Sequence, residues 1–143
     1  MNKRFLDKVV IVTGSGSGIG QTTAERFAEE GAKVIIAELD KTTGQLVEEN
    51  INKKNNQSKF IETDVSDFNS VNDMVNGTIK QFGPPDILIN NAGINVFSEP
   101  LKMSEAEWKK AFSVDLDGVW YGCKAVLPHM LEKGKGAIVN ISS

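Results

Sequence analysis

The stretch VVIVTGSGSGIG, Val9 to Gly20, decides the fold. Its first part is a short β-branched run of strand type, bounded by a glycine-rich turn. After the turn, Gly20, Ala24, Phe27 and Ala28 recur at the spacing of one helix face, and Gly31 is placed to end that helix. A strand, a glycine turn and a helix in this order present free backbone N–H groups and the positive end of a helix dipole at the strand's end. Glycines there permit positive φ and let the backbone approach a ligand closely. A nucleotide's phosphates suit such a place. The spacing departs from strict G-x-G-x-x-G, and no Lys-Ser/Thr follows the glycines, so the turn favours a dinucleotide over a P-loop ligand.

The same alternation continues outward. The first strand is read over Lys8 to Thr13, and a second follows over Lys33 to Ala37. Asp40 can cap a helix with Leu46, Val47 and Ile51 on its apolar face, and residues 53–58 (KKNNQS) read as a polar connector. A third strand covers Lys59 to Thr63. Phe68, Val71, Val75, Thr78 and Phe82 then mark a helix that Gly83-Pro84-Pro85 breaks. DILIN, Asp86 to Asn90, is apolar enough for a central strand covered on both faces.

Ser104 and Glu107 form a capping box for a long helix, whose stripe is read as Trp108, Phe112, Leu116, Val119, Trp120, Cys123 and Leu127. Pro128 is expected to kink or end it. Ala137 to Ile141 reads as a fifth, buried strand that delivers Ser142 and Ser143 to an exposed end. Five strands with four intervening helices and right-handed crossovers predict an α/β, doubly wound parallel sheet of Rossmann type in order 3-2-1-4-5. With 143 residues the chain is read as one domain, 1–143.

Bulk properties narrow the function classes. A net charge of −3 and only short basic clusters, Lys53-Lys54 and Lys109-Lys110, argue against a nucleic-acid partner. One cysteine, Cys123, and one histidine, His129, leave no disulfide and no Cys/His zinc set, so no metal is expected and a cytoplasmic location fits. The apolar run near the start is far short of the roughly 20 residues a membrane span needs, so no membrane partner is expected.

Glu38 ends the second strand, 20 residues after Gly18, where a carboxylate can accept from adenosine ribose hydroxyls. A negative charge there favours NAD and repels the extra phosphate of NADP. No Arg or Lys lies in the turn or just after Glu38 until Lys41.

Four motifs fall in order at consecutive strand ends: Thr13-Gly14-x-x-x-Gly18-Ile19-Gly20, Asp64-Val65, Asn90-Asn91-Ala92-Gly93 and Asn140-Ile141-Ser142-Ser143. Together they resemble the short-chain dehydrogenase/reductase family in its single-domain form, over the whole chain. The resemblance implies that Gly14, Ser17, Gly18, Ile19 and Gly20 line the pyrophosphate and nearby ribose. It implies too that Asp64 accepts from the adenine amino group with Val65 beside the ring, and that Asn91 and Gly93 lie at the nicotinamide ribose. It assigns Ser143 to the substrate oxygen, beside a tyrosine and lysine in a Tyr-x-x-x-Lys motif.

That motif is not in these residues. The one tyrosine, Tyr121, is followed by Lys124 at i+3 and Ala125 at i+4. A second departure is Asp115, which stands where the family usually has an asparagine that helps a proton relay at a local helix distortion; it is a candidate relay residue. The resemblance therefore implies an N-terminal part only, lacking the family's later strands and helices and inactive alone, with an exposed edge at the fifth strand. The full form would be an NAD(P)-dependent oxidoreductase acting on an alcohol or ketone, and a homo-oligomer. The second reading is a non-catalytic NAD-binding module, or a truncated product that associates with a full-length relative.

Overall fold

The computed structural model describes residues 3–142. Strands β1 (Val9–Thr13), β2 (Lys33–Glu38), β3 (Gln57–Glu62), β4 (Ile87–Asn90) and β5 (Ala137–Asn140) form one parallel sheet in the order β3-β2-β1-β4-β5. The helices are α1 (Gly18–Glu29), α2 (Lys41–Lys53), α3 (Phe68–Phe82), α4 (Glu105–Phe112) and α5 (Gly118–Lys133). The doubly wound sheet expected from the sequence is what forms.

β1 is central, with Val10 in register with Val34 on one side and Ile87 on the other. Its residues are buried throughout because both faces are covered. Val10 and Val12 pack with Ala24, Ala28, Val47 and Ile51 of α1 and α2. Ile11 points the other way, into a cluster with Val71, Met74, Val75 and Val126 from α3 and α5. The period-2 alternation of one strand thus feeds two separate cores.

At the N-terminal edge of the sheet, Asp86 ties three segments together. It accepts the Val9 N–H at 2.9 Å and the Lys133 ammonium at 2.7 Å, while Lys133 also donates to the Pro84 carbonyl at 3.2 Å. Burial pushes the Asp86 carboxyl up, but these bonds and the lysine charge outweigh it and hold the group below the usual carboxylate range.

Several local expectations are corrected. β3 starts at Gln57, inside the stretch read as a polar connector, because the Asn52 side chain accepts the Ser58 N–H at 2.8 Å and draws that polar segment into the sheet. The single long helix is two α-helices joined by a π-helical stretch, Ser113–Asp117. Pro128 does not end α5, which runs on to Lys133. Pro128 and Lys124, whose carbonyl loses its partner, both lie on the exposed side, where water can serve that carbonyl.

The apolar stripe is the larger correction. Trp108, Phe112, Leu116 and Trp120 are 54%, 42%, 57% and 58% exposed. The face turned to the protein is built of Val114, Gly118, Gly122, Ala125, Val126 and Met130. Close approach explains the choice: a Cβ on Gly122 would lie 2.5 Å from the Asn90 Oδ1, and one on Gly118 would lie 2.9 Å from the Val65 Cγ2. Small residues pack the helix onto the sheet, and the large ones remain outside. Among the described residues β5 pairs with β4 alone and is the exposed edge that the resemblance implied; the buried strand read from its apolar run is corrected, with Val139 46% exposed.

Candidate functional site

The C-terminal ends of β1 to β4 open onto one cleft of about 460 Å³. It lies beside the switch point, where the chain order reverses between β1 and β4 and where open α/β sheets bind ligands. The glycine turn supplies one wall through Gly14, Ser17, Gly18, Ile19 and Gly20. Glu38 at the end of β2, Asp64 and Val65 after β3, and Asn91 and Gly93 after β4 supply the rest of the expected set. All ten residues read from the sequence as cofactor-binding candidates line this cleft.

Ser17 stands at the N-cap of α1 with extended backbone, yet its side chain bonds no helix amide. The first intrahelical bond there is from Gln21 N–H to the Ser17 carbonyl, so the amides of Gly18, Ile19 and Gly20 are uncapped where they line the cleft. Gly18 has φ of +54°, and a Cβ added to it would meet nothing within 4 Å. Free amides, a helix dipole and open space fit a pyrophosphate.

Glu38 is held by three backbone amides. Its Oε2 accepts from Gly16 at 2.8 Å, and its Oε1 accepts from Leu39 at 2.8 Å and Asp40 at 3.1 Å. A carboxylate fixed in this way still has lone pairs for hydroxyl donors. Asp64 is similarly set: its Oδ1 accepts the Ser66 N–H at 2.9 Å and the Ser66 hydroxyl at 2.6 Å. The Ser66 hydroxyl bond is the main reason its carboxyl lies below the usual range, with burial opposing and the Lys110 charge adding a smaller pull.

Asn91 joins the two central strands. Its Nδ2 donates to the Thr13 carbonyl at 3.0 Å and the Gly14 carbonyl at 3.1 Å. Thr13 returns the link, its hydroxyl oxygen accepting from the Asn91 and Ala92 amides, each at 3.0 Å. The neighbouring Asn90 is buried, and its Nδ2 donates to the Asn140 Oδ1 at 2.9 Å, tying β4 to β5.

Asp115 does not line the cleft, but its Oδ1 accepts the Ile94 N–H at 2.8 Å and so holds the loop that does. It lies in the π-helical stretch, the helix distortion that the resemblance implied. Ser143 falls outside the described residues.

The cleft also includes Leu39, Thr63, Ala92, Ile94, Lys110 and Val114, which the sequence reading did not single out. Thr63 adjoins the Asp64-Val65 motif and Ala92 lies within Asn90-Asn91-Ala92-Gly93, though the reading gave neither a role. Lys110 and Val114 come from α4 and the π-helical stretch, far along the chain, where only their i, i+4 spacing offered a signal. Among the described residues no group of His, Cys, Asp or Glu could hold a metal ion, and no helix is long and apolar enough to cross a membrane.

The family model for short chain dehydrogenases matches residues 8–143. The chain belongs to the short-chain dehydrogenase family of oxidoreductases. It is 39% identical over 140 residues to an uncharacterized oxidoreductase of Thermotoga maritima, covering 95% of this chain and 53% of that one. It is 40% identical over 140 residues to the meso-2,3-butanediol dehydrogenase of Serratia marcescens, covering 98% and 55%. A solved structure, the crystal structure of gox2181, superposes with a TM-score of 0.95 at 34% identity, over 99% of this chain and 56% of that one. The chain spans about half the length of the curated relatives it matches. Short-chain dehydrogenases use nicotinamide dinucleotides, NAD or NADP, and the cleft of this member fits that class of ligand.

Proposed function

We propose that this chain is the dinucleotide-binding part of an NAD-dependent oxidoreductase whose full-length form acts on an alcohol or ketone. The observation that carries the reading is one cleft in which the uncapped amides of α1 face the amide-held carboxylate of Glu38. The α1 amides would bind the pyrophosphate, and Glu38 would accept from the adenosine ribose hydroxyls. Its negative charge argues for NAD over NADP, since a 2′-phosphate would meet a carboxylate that no ion pair neutralises among the described residues. Asp64 and Val65 would hold the adenine, while Asn91 and Gly93 would lie toward the nicotinamide ribose.

When bound, the dinucleotide supplies hydride transfer at the substrate carbon. The residues of this chain bind and orient it, and Ser143 would hydrogen-bond the substrate oxygen. Asp115, through the Ile94 amide, would keep the loop after β4 in place and take part in a proton relay. Proton transfer itself needs a group these residues do not offer. Tyr121 packs against Phe68 and Trp120, with ring centroids 5.4 and 5.3 Å apart, and is not part of the cleft lining. The 143-residue chain alone should therefore bind NADH and turn over no substrate.

A cytoplasmic location goes with this reading, as does self-association of the full-length form. The exposed run on α4 and α5 supports the latter. A second copy laid antiparallel about Val114 would set Trp108 against Trp120 and Phe112 against Leu116, burying four large apolar side chains per copy.

The test is a pair of assays on the same preparation: NADH binding by fluorescence, and NADH oxidation with a panel of small ketones. Saturable binding without turnover is expected of the 143-residue chain, and turnover of a form that also carries a Tyr-x-x-x-Lys segment. Turnover by the 143-residue chain itself, with contaminating dehydrogenase excluded, would contradict the mechanism.

A further inference from the structure

The two adjacent lysines of α4 have different surroundings. Lys109 pairs with Glu105 one turn earlier, Nζ to Oε1 at 2.6 Å. Lys110, one position and so about 100° further round the helix, has no carboxylate within ion-pair distance among the described residues, whose ion pairs do not include it. Instead it lines the cleft, together with Asp64, Val65 and Val114. Among the described residues of that lining it is the one cation, set against the carboxylates of Glu38 and Asp64.

Its place in the cleft decides what it can serve. The phosphates would sit at the uncapped α1 amides, whereas Lys110 reaches the cleft from α4, close enough to Asp64 for its charge to act on that carboxyl. A lysine there offers an apolar four-carbon stem to a flat ring and an ammonium to that ring's electron-rich face. Asp64 is prepared to meet the ring's edge: Ser66 occupies its Oδ1, and no hydrogen bond to its Oδ2 occurs among the described residues. Edge and face of a purine are thus met from two elements.

Resting on the dinucleotide reading given above, we infer that Lys110 is a positioning residue for the purine half of the ligand, closing the outer wall of the cleft over the ring that Asp64 and Val65 hold. It takes no part in hydride or proton transfer. Its contribution is affinity and orientation at the adenine end, in two portions: contact by the stem and attraction by the charge. The first survives high salt, and the second weakens as salt screens it.

The experiment compares the purified protein with its Lys110→Ala and Lys110→Met variants. Equilibrium titrations use NADH, AMP and reduced nicotinamide mononucleotide, at low salt and at about 0.5 M salt, where the Debye length falls to a few ångströms. Because Lys110 is exposed and in no ion pair among the described residues, both variants should melt with the wild type. Lys110→Ala should weaken NADH and AMP by the same factor, about two- to tenfold for a cation–π contact plus its stem. Reduced nicotinamide mononucleotide, which lacks the purine, should bind as before. Lys110→Met should recover the stem's share, and its remaining deficit should shrink in high salt.

Equal affinity of Lys110→Ala and wild type for NADH and AMP would overturn the inference while leaving the dinucleotide reading intact. So would an equal loss for the mononucleotide, since that would place Lys110 at the phosphate or in the fold generally. Failure of the wild type to bind NADH would overturn the dinucleotide reading and this inference with it.

Discussion

The Glu38 carboxylate, which lines the cleft, accepts the Gly16 amide, Oε2 to N at 2.8 Å. The bond lets one side chain do two things: hold the glycine turn against the end of β2 and present a fixed negative charge beside it. A Cβ on Gly16 would come within 2.8 Å of that same oxygen and 2.5 Å of the Thr43 Oγ1, so any larger residue here would displace the Glu38 or Thr43 side chain. Glu38→Ala should raise the dissociation constant for NADH by roughly ten- to a hundredfold, the range for losing a hydrogen bond to a charged group. NADPH, which gains from removal of the charge, should be affected far less. Fluorescence titration with both nucleotides checks this, and an unchanged NADH-to-NADPH ratio would count against the assigned role of Glu38.

Gly18 and Gly20 should respond differently to alanine. At Gly20 a Cβ would collide with the Gly14 carbonyl oxygen and the Asn91 Nδ2, both part of the link between β1 and β4. Gly20→Ala should lower the thermal midpoint by several degrees, as overpacking by about 1–3 kcal/mol does in a domain of this size. At Gly18 the methyl would enter open space, so the cost to stability is only the left-handed φ of +54°, about 1 kcal/mol. Its larger effect should be on NADH binding, because the methyl lies where the pyrophosphate is expected. Calorimetry and NADH titration of both variants separate the two cases.

Asp115 reaches the cleft through Ile94. Its Oδ1 accepts the Ile94 amide at 2.8 Å, a bond that an asparagine oxygen can also make. Asp115→Asn should keep NADH affinity close to that of the wild type, within about twofold. Asp115→Ala leaves the amide without its partner and should weaken binding by about five- to twentyfold, the effect of losing a bond worth about 1–2 kcal/mol. Comparable losses in both variants would show that the charge, and not the hydrogen bond, is what matters.

Acid should loosen the molecule at Asp86. Its carboxyl titrates below the usual range in the folded protein, despite burial, because Lys133 and the Val9 amide favour its charged form. A folded value below the unfolded one means that the stabilisation is fully present above about pH 4, the ordinary aspartate range. It is lost as the pH falls through the folded value. Glu30, held by Arg4 at 2.9 Å and by Arg26 at 2.9 Å, is lowered chiefly by its bond to Arg4 and acts in the same direction. Urea unfolding of Asp86→Asn at pH 7 and pH 3 should show a smaller loss of stability between the two than the wild type does. Equal losses would remove Asp86 from the account.

What the sequence disclosed and what it withheld have physical reasons. Val9 to Thr13 and the glycines after it could be read because a covered central strand must be apolar throughout, and a turn into a helix at a phosphate site needs glycine. Glu38, Asp64 and Asn91 could be placed because each directly follows or ends a strand. The stripe on α4 and α5 misled for the opposite reason. Large residues attract the eye, but Gly118 and Gly122 are what let the helix meet Val65 and Asn90. Lys110, read only as part of a short basic cluster, could not be placed because Asp64 is distant in sequence and only the folded chain brings the two to one cleft.

The most direct measurement is an equilibrium titration of the purified protein with NADH and NADPH, followed by quenching of tryptophan fluorescence or by calorimetry. Saturable, one-to-one binding of NADH is expected, clearly tighter than that of NADPH, with the preference abolished in Glu38→Ala. Absence of saturable binding, or a preference for NADPH in the wild type, would contradict that expectation.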